Sequence, residues 1–143
     1  NGYYEVDGNV KSAIDDSFCG YFADESETAA TISKYFNDYS YLADTHTAVA
    51  LTAAEKYLAE SGDTATPTVV ASTASPYKFA ADVCASLGLE RPEDDLDALD
   101  MLVKHTGTEI PYPLVNISER KVRFTETVNA ADMLDAVKKY ISE

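Results

Sequence analysis

Two short β-branched runs, "VVAS" at residues 69–72 and "KVRF" at 121–124, are set against far more amphipathic helical sequence than they can cover. A two-stranded sheet is marginal on its own, and helices need a partner layer for their apolar faces. Adding "YYEV" at residues 3–6 as a third strand does not close the account. Two architectures satisfy the count. Either the fold is mostly helical around a small sheet, or the strands finish a sheet whose remainder lies in sequence outside this chain. The second is expected here: an α/β protein, of which residues 1–143 form a single segment of mostly helices around a small partial sheet.

The helical stretches are well punctuated. A first helix is expected over roughly Val10 to Phe18. A second opens with Asp24-Glu25-Ser26-Glu27, a D-x-x-E capping arrangement with acid at the positive end of the helix dipole. Ala29, Ile32, Phe36 and Tyr39 follow at steps of three and four and predict its buried face. Asp44 caps a third helix, with Val49, Ala50, Ala53, Ala54, Tyr57 and Leu58 turned inward. Gly62 and Pro67 punctuate the loop before the strand at 69–72. A fourth helix has Ser75 as N-cap, Pro76 at its first position and Gly88 past its end, with Phe79, Val83 and Leu87 as its stripe. A fifth carries Leu96, Leu99 and Val103. After an irregular stretch at 106–121, a final helix is expected behind the cap Asn129, stapled by Val128 and Met133. There is no repeat, low-complexity tract or domain boundary.

Composition removes several function classes. The formal net charge is −14 over 143 residues, which leaves no basic stripe for nucleic acid and opposes an anionic membrane surface. No apolar run approaches a membrane span, and no signal-peptide pattern opens the chain. Two cysteines, Cys19 and Cys84, are too few for a disulfide framework. Cys84 falls on a helical apolar face as a small buried thiol. A reducing cytoplasm is the expected compartment.

"VVASTASPYKF" at 69–79 concentrates the chemistry. A strand feeding a helix through glycines suggests a phosphate cradle; here the turn has hydroxyls and no glycine. Nucleotide-loop and nucleophile-elbow motifs are absent elsewhere too. His46 and His105 lack metal-ligand spacing, so no metal site is expected. His105 reads as a partner of its helix's C-terminal dipole. His46 lies in a first turn, where the dipole disfavours a protonated ring, so it is either a packing residue or proximal to a substrate. Ser75 is explained by capping. Ser72 and Thr73 remain, at the carboxyl end of a strand, where open α/β sheets bind ligands. A hydroxyl both donates and accepts, and so suits a neutral ring nitrogen that a carboxylate drives toward protonation. A heteroaromatic cofactor edge and an ordinary hydroxyl turn both satisfy the pattern.

The blocks "DESETAATISKYF", "YLADTHTAVALTAAEKYL" and "PTVVASTASPYKFAADV", in this order and spacing, resemble the C-terminal part of the threonine synthase family, and "KVRF…ADMLDAVKKYIS" resembles that family's end. The resemblance implies a pyridoxal-phosphate enzyme of the tryptophan-synthase-β-like fold that converts O-phospho-L-homoserine and water to L-threonine and phosphate. It implies that Thr73 pairs with the pyridine nitrogen, with Ser72 the alternative. The family's Schiff-base lysine and phosphate loop lie upstream, so no catalytic residue is expected in this segment, and Lys78 reads as a surface lysine. Thr45 stands where the family usually has proline, and Ser75 where it has histidine, which removes any substrate contact by that histidine.

The expected partners are therefore the upstream part of the same protein and the small phosphate-ester substrate. This segment alone is expected to be inactive, without bound cofactor, and to self-associate through unpaired sheet edges and uncovered apolar faces. The rival reading is a non-catalytic acidic interaction domain that has kept the fold, with Thr45 and Ser75 as its signature.

Overall fold

Side-chain caps open most of the helical segments of this chain, and the computed structural model describes residues 2–142. Asp7 accepts from the backbone N–H groups of Asn9 and Val10 and opens α1 (Gly8–Ser17). Asp24 and Glu27 form a reciprocal capping box at the head of α2 (Glu25–Tyr39). Asp44 accepts from His46 and Thr47 to start α3 (Thr45–Ser61). Ser75 caps a 3-10 turn, Pro76–Phe79, which runs on into α4 (Ala80–Ser86). Asp94 starts α5 (Asp95–Thr106), and Gly107, at φ 69°, ends it in the left-handed conformation a glycine tolerates.

The chain divides into two compact units, one ending at Tyr112 and the other starting at Pro113. In the first, α2 packs on α3 and α4, and α4 packs on α5. Ile32, Val83, Cys84 and Leu102 are fully buried at this junction, and each large aliphatic side chain so buried contributes about 1.5–3 kcal/mol. Small residues (Ala43, Ala48, Ala80, Ala81 and Ala98) fill the rest and let the helices approach closely. The second unit holds a 3-10 turn, Ile117–Glu119, and a second one, Ala130–Asp132, that leads into α6 (Met133–Ser142). No residue of α6 is buried.

The expected α/β architecture is not found. Among the described residues there is no strand, and the small partial sheet implied by the tryptophan-synthase-β-like resemblance is absent. Residues 3–6, 69–72 and 121–124 are non-helical, yet none pairs with a neighbour. β-branched residues favour extended backbone, but a strand exists only when a second backbone supplies its hydrogen bonds. Val69 makes the point, at 91% exposure. The sheet edges expected to drive self-association are likewise missing among the described residues.

Helix positions follow the sequence more closely than helix faces. On α2 the buried residues are Thr28, Thr31 and Ile32, while Tyr39 is exposed. On α3 they are Thr47, Ala48 and Thr52, and Val49 and Tyr57 lie toward solvent. Asn129 makes no capping bond to the backbone; its amide points to Asp132 at 3.4 Å instead.

Candidate functional site

Asp44 does more than cap α3. Its carboxylate is 1% exposed. One oxygen accepts from the backbone N–H groups of His46 at 2.9 Å and Thr47 at 3.2 Å. The second oxygen accepts from the Thr47 hydroxyl. Thr47 is itself buried, and its hydroxyl lies 3.0 Å from that of Ser72. A chain of three side chains therefore runs from the head of α3 to the turn that precedes α4.

Thr73 follows immediately. Its side chain is exposed and its hydroxyl has no hydrogen-bond partner among the described residues. Beyond it, Ser75 accepts from the Tyr77 N–H at 3.3 Å. The Tyr77 phenol donates to the Thr108 carbonyl at 3.0 Å and meets the Thr108 hydroxyl at 2.7 Å. Thr73 is thus an unpaired hydroxyl between two anchored points: Ser72 is tied to α3, and Tyr77 to the segment after α5. Of the two hydroxyls singled out in the sequence, Ser72 is committed within the chain and Thr73 is open.

His46 has a different setting. Its ring packs on Phe79, with centroids 5.0 Å apart and the planes tilted by 33°. Its Nδ1 lies 3.3 Å from the Thr45 hydroxyl and 3.7 Å from the Asp44 carboxylate. The ring lines an open groove of about 570 Å³ between the heads of α2 and α3 and the side of α4, with Glu25, Thr28, Phe79 and Asp82. Neither Ser72 nor Thr73 borders that groove. His46 and the hydroxyl pair are linked through Asp44 but do not share a cavity.

Other ionisable groups carry structural loads. Burial pushes the Cys84 thiol up, and its sulfur faces the Ala98 carbonyl at 3.7 Å. His105 sits in the last turn of α5, against Phe36. The residues that sequence reading missed are Asp44, beyond its capping role, and Thr47. The spacing D-x-x-T was the available signal, since an N-cap acid and a hydroxyl three residues on can face one another.

Comparison with known proteins gives these residues a family. A family model described as "Threonine synthase, C-terminal" matches residues 47–141, which takes in Thr47, Ser72, Thr73 and Ser75. The chain is 26% identical to the threonine synthase of Saccharomyces cerevisiae (strain ATCC 204508 / S288c) over an alignment of 148 residues. That alignment covers 100% of this chain and 27% of the yeast protein, so the chain spans about a quarter of its relative's length. With well over half of its residues inside the family match, the chain belongs to the threonine synthase C-terminal family.

Proposed function

We propose that this chain is the C-terminal part of a cytoplasmic threonine synthase, a pyridoxal-phosphate-dependent lyase of threonine biosynthesis. The enzyme converts O-phospho-L-homoserine and water to L-threonine and phosphate. The segment contributes one wall of the active site, and the lysine that carries the cofactor belongs to the rest of the protein. Family membership supports the reaction, and one structural observation supports the role of this segment: the Thr73 hydroxyl is unpartnered between two anchored neighbours.

The residues present fit the cofactor's ring edge. A neutral pyridine nitrogen needs one donor that does not force protonation, and a threonine hydroxyl is such a donor. When bound, pyridoxal phosphate supplies an electron sink for carbanions formed on an amino-acid substrate. The work of this chain is to orient the ring through Thr73 and to leave its nitrogen largely neutral. His46, on a separate groove, is proposed as substrate-proximal only through the continuity of the Asp44 network.

Thr73→Val in the full-length protein keeps the side-chain shape and deletes the hydrogen bond. Cofactor binding should weaken by about 0.5–1.5 kcal/mol, the usual worth of one neutral hydrogen bond. Thr73→Ser should recover most of that loss, and Ser72→Ala should cost less than Thr73→Val. An affinity for pyridoxal phosphate unchanged in Thr73→Val would remove Thr73 from the site.

A further inference from the structure

We infer that Asp44 and Thr47 are positioning residues for Thr73, acting through the Ser72 hydroxyl. The inference rests on the reading of Thr73 given above and adds what holds that residue in place.

Three observations carry it. First, among the described residues, the Thr47–Ser72 bond is the one hydrogen bond made by residues 67–74. The segment has no strand ladder, so nothing else of that kind fixes its register against the helices. Second, the Asp44 carboxylate uses both oxygens. Capping α3 needs only the oxygen that takes the His46 and Thr47 amides. The other oxygen holds the Thr47 hydroxyl.

Third, one hydroxyl serves both links. Thr47 carries one hydroxyl proton, and the buried carboxylate claims it. The same Thr47 oxygen that faces the carboxylate lies 3.0 Å from the Ser72 hydroxyl, so one hydroxyl group joins the buried acid to the turn. A hydroxyl held by a buried carboxylate is fixed more firmly than an isolated one. Ser72 is engaged by Thr47, whereas the Thr73 hydroxyl has no partner among the described residues. The network thus selects which of two adjacent hydroxyls is presented and fixes the backbone from which it projects.

The experiment is a double-mutant cycle in the full-length protein, read as the dissociation constant of pyridoxal phosphate. Thr47→Val and Ser72→Ala should each weaken binding about threefold, within the range for losing one neutral hydrogen bond. The double variant should be no weaker than either single one, because both break the same link. Thr47→Ser should restore binding. Ser72 is exposed, so Ser72→Ala should leave the thermal midpoint of the cofactor-free protein unchanged while still weakening the cofactor. This keeps the test valid if Thr47→Val fails to fold. Wild-type affinity in both single variants, or losses that add in the double, overturns the positioning role. If Thr73→Val weakens binding while the other two do not, only the positioning inference falls. If Thr73→Val itself binds normally, the reading of Thr73 falls first.

Discussion

The hydroxyls of Thr31 on α2 and Thr52 on α3 meet 2.8 Å apart inside the helix–helix seam, both residues being buried. Thr52 also reaches back to the Ala48 carbonyl at 2.9 Å, four residues earlier on its own helix. Its single proton goes to that carbonyl, so Thr31 is the donor between the two hydroxyls. The pair lets two helices pack on small polar side chains without stranding a buried polar atom, and no buried side-chain nitrogen or oxygen among the described residues lacks a partner.

An order of stabilities follows from that direction. Thr52→Val removes an acceptor and leaves the Thr31 donor buried and unpaired, which costs about 1–3 kcal/mol. Thr31→Val leaves Thr52 still bonded to its own helix and should cost less. The double valine variant replaces both groups with the same shapes in apolar form and should lie close to wild type. Chemical denaturation of the four proteins gives the comparison. A double variant as weak as the sum of the singles would mean that the two hydroxyls act independently.

Those threonines also explain which parts of the fold could be read from sequence. Caps are local: Asp24, Asp44 and Ser75 each satisfy backbone groups within three residues, and all three start the elements expected of them. Buried faces are not local. Hydrophobic spacing found Ile32, but it also pointed to Tyr39, Val49 and Tyr57, which are exposed, and it missed the buried Thr28, Thr31, Thr47 and Thr52; Thr31 meets its partner Thr52 only once the two helices pack. The strands failed for a related reason, since β-branched composition at 69–72 specifies extension and not a partner. At the site, Ser72 and Thr73 were legible as a hydroxyl pair. What separates their settings is a bond to Thr47, 25 residues away in sequence, and no local pattern encodes that distance.

The head of α2 should show in the pH dependence of stability. The Glu27 backbone N–H, and then the Ser26 hydroxyl, hold Asp24 below its ordinary 3.8. Lys56, and then the Asp24 N–H, hold Glu27 below its ordinary 4.5. For a carboxylate depressed by folding, the stabilisation is complete above the unfolded-state value and is lost as pH falls through the folded one. Thermal midpoints should therefore be insensitive to these two groups above about pH 5 and should decline below about pH 4. Asn is also a good N-cap and does not ionise. Asp24→Asn should thus lose less between pH 6 and pH 3 than wild type does. Parallel pH profiles for the two proteins would show that the capping box does not titrate with folding.

Lysine placement bears on what this chain can do by itself. A lysine that condenses with an aldehyde near neutral pH needs a lowered pKa, usually from desolvation or a neighbouring cation. Here every lysine is exposed or half-exposed. Several face acids: Lys11 pairs with Asp15, Lys34 with Glu55 and Lys56 with Glu27, each at 2.7 Å. The hydrogen bond to Glu55 raises the pKa of Lys34, the opposite of activation. Lys78 lies over the Phe79 ring at 5.3 Å, on the surface of the turn that begins α4. Pyridoxal phosphate mixed with this chain alone should therefore give only a weak absorbance change that disappears on dialysis, and no turnover of O-phospho-L-homoserine. A band that survives dialysis and maps to one lysine would place a cofactor-bearing residue in this segment, against the division of labour proposed for it.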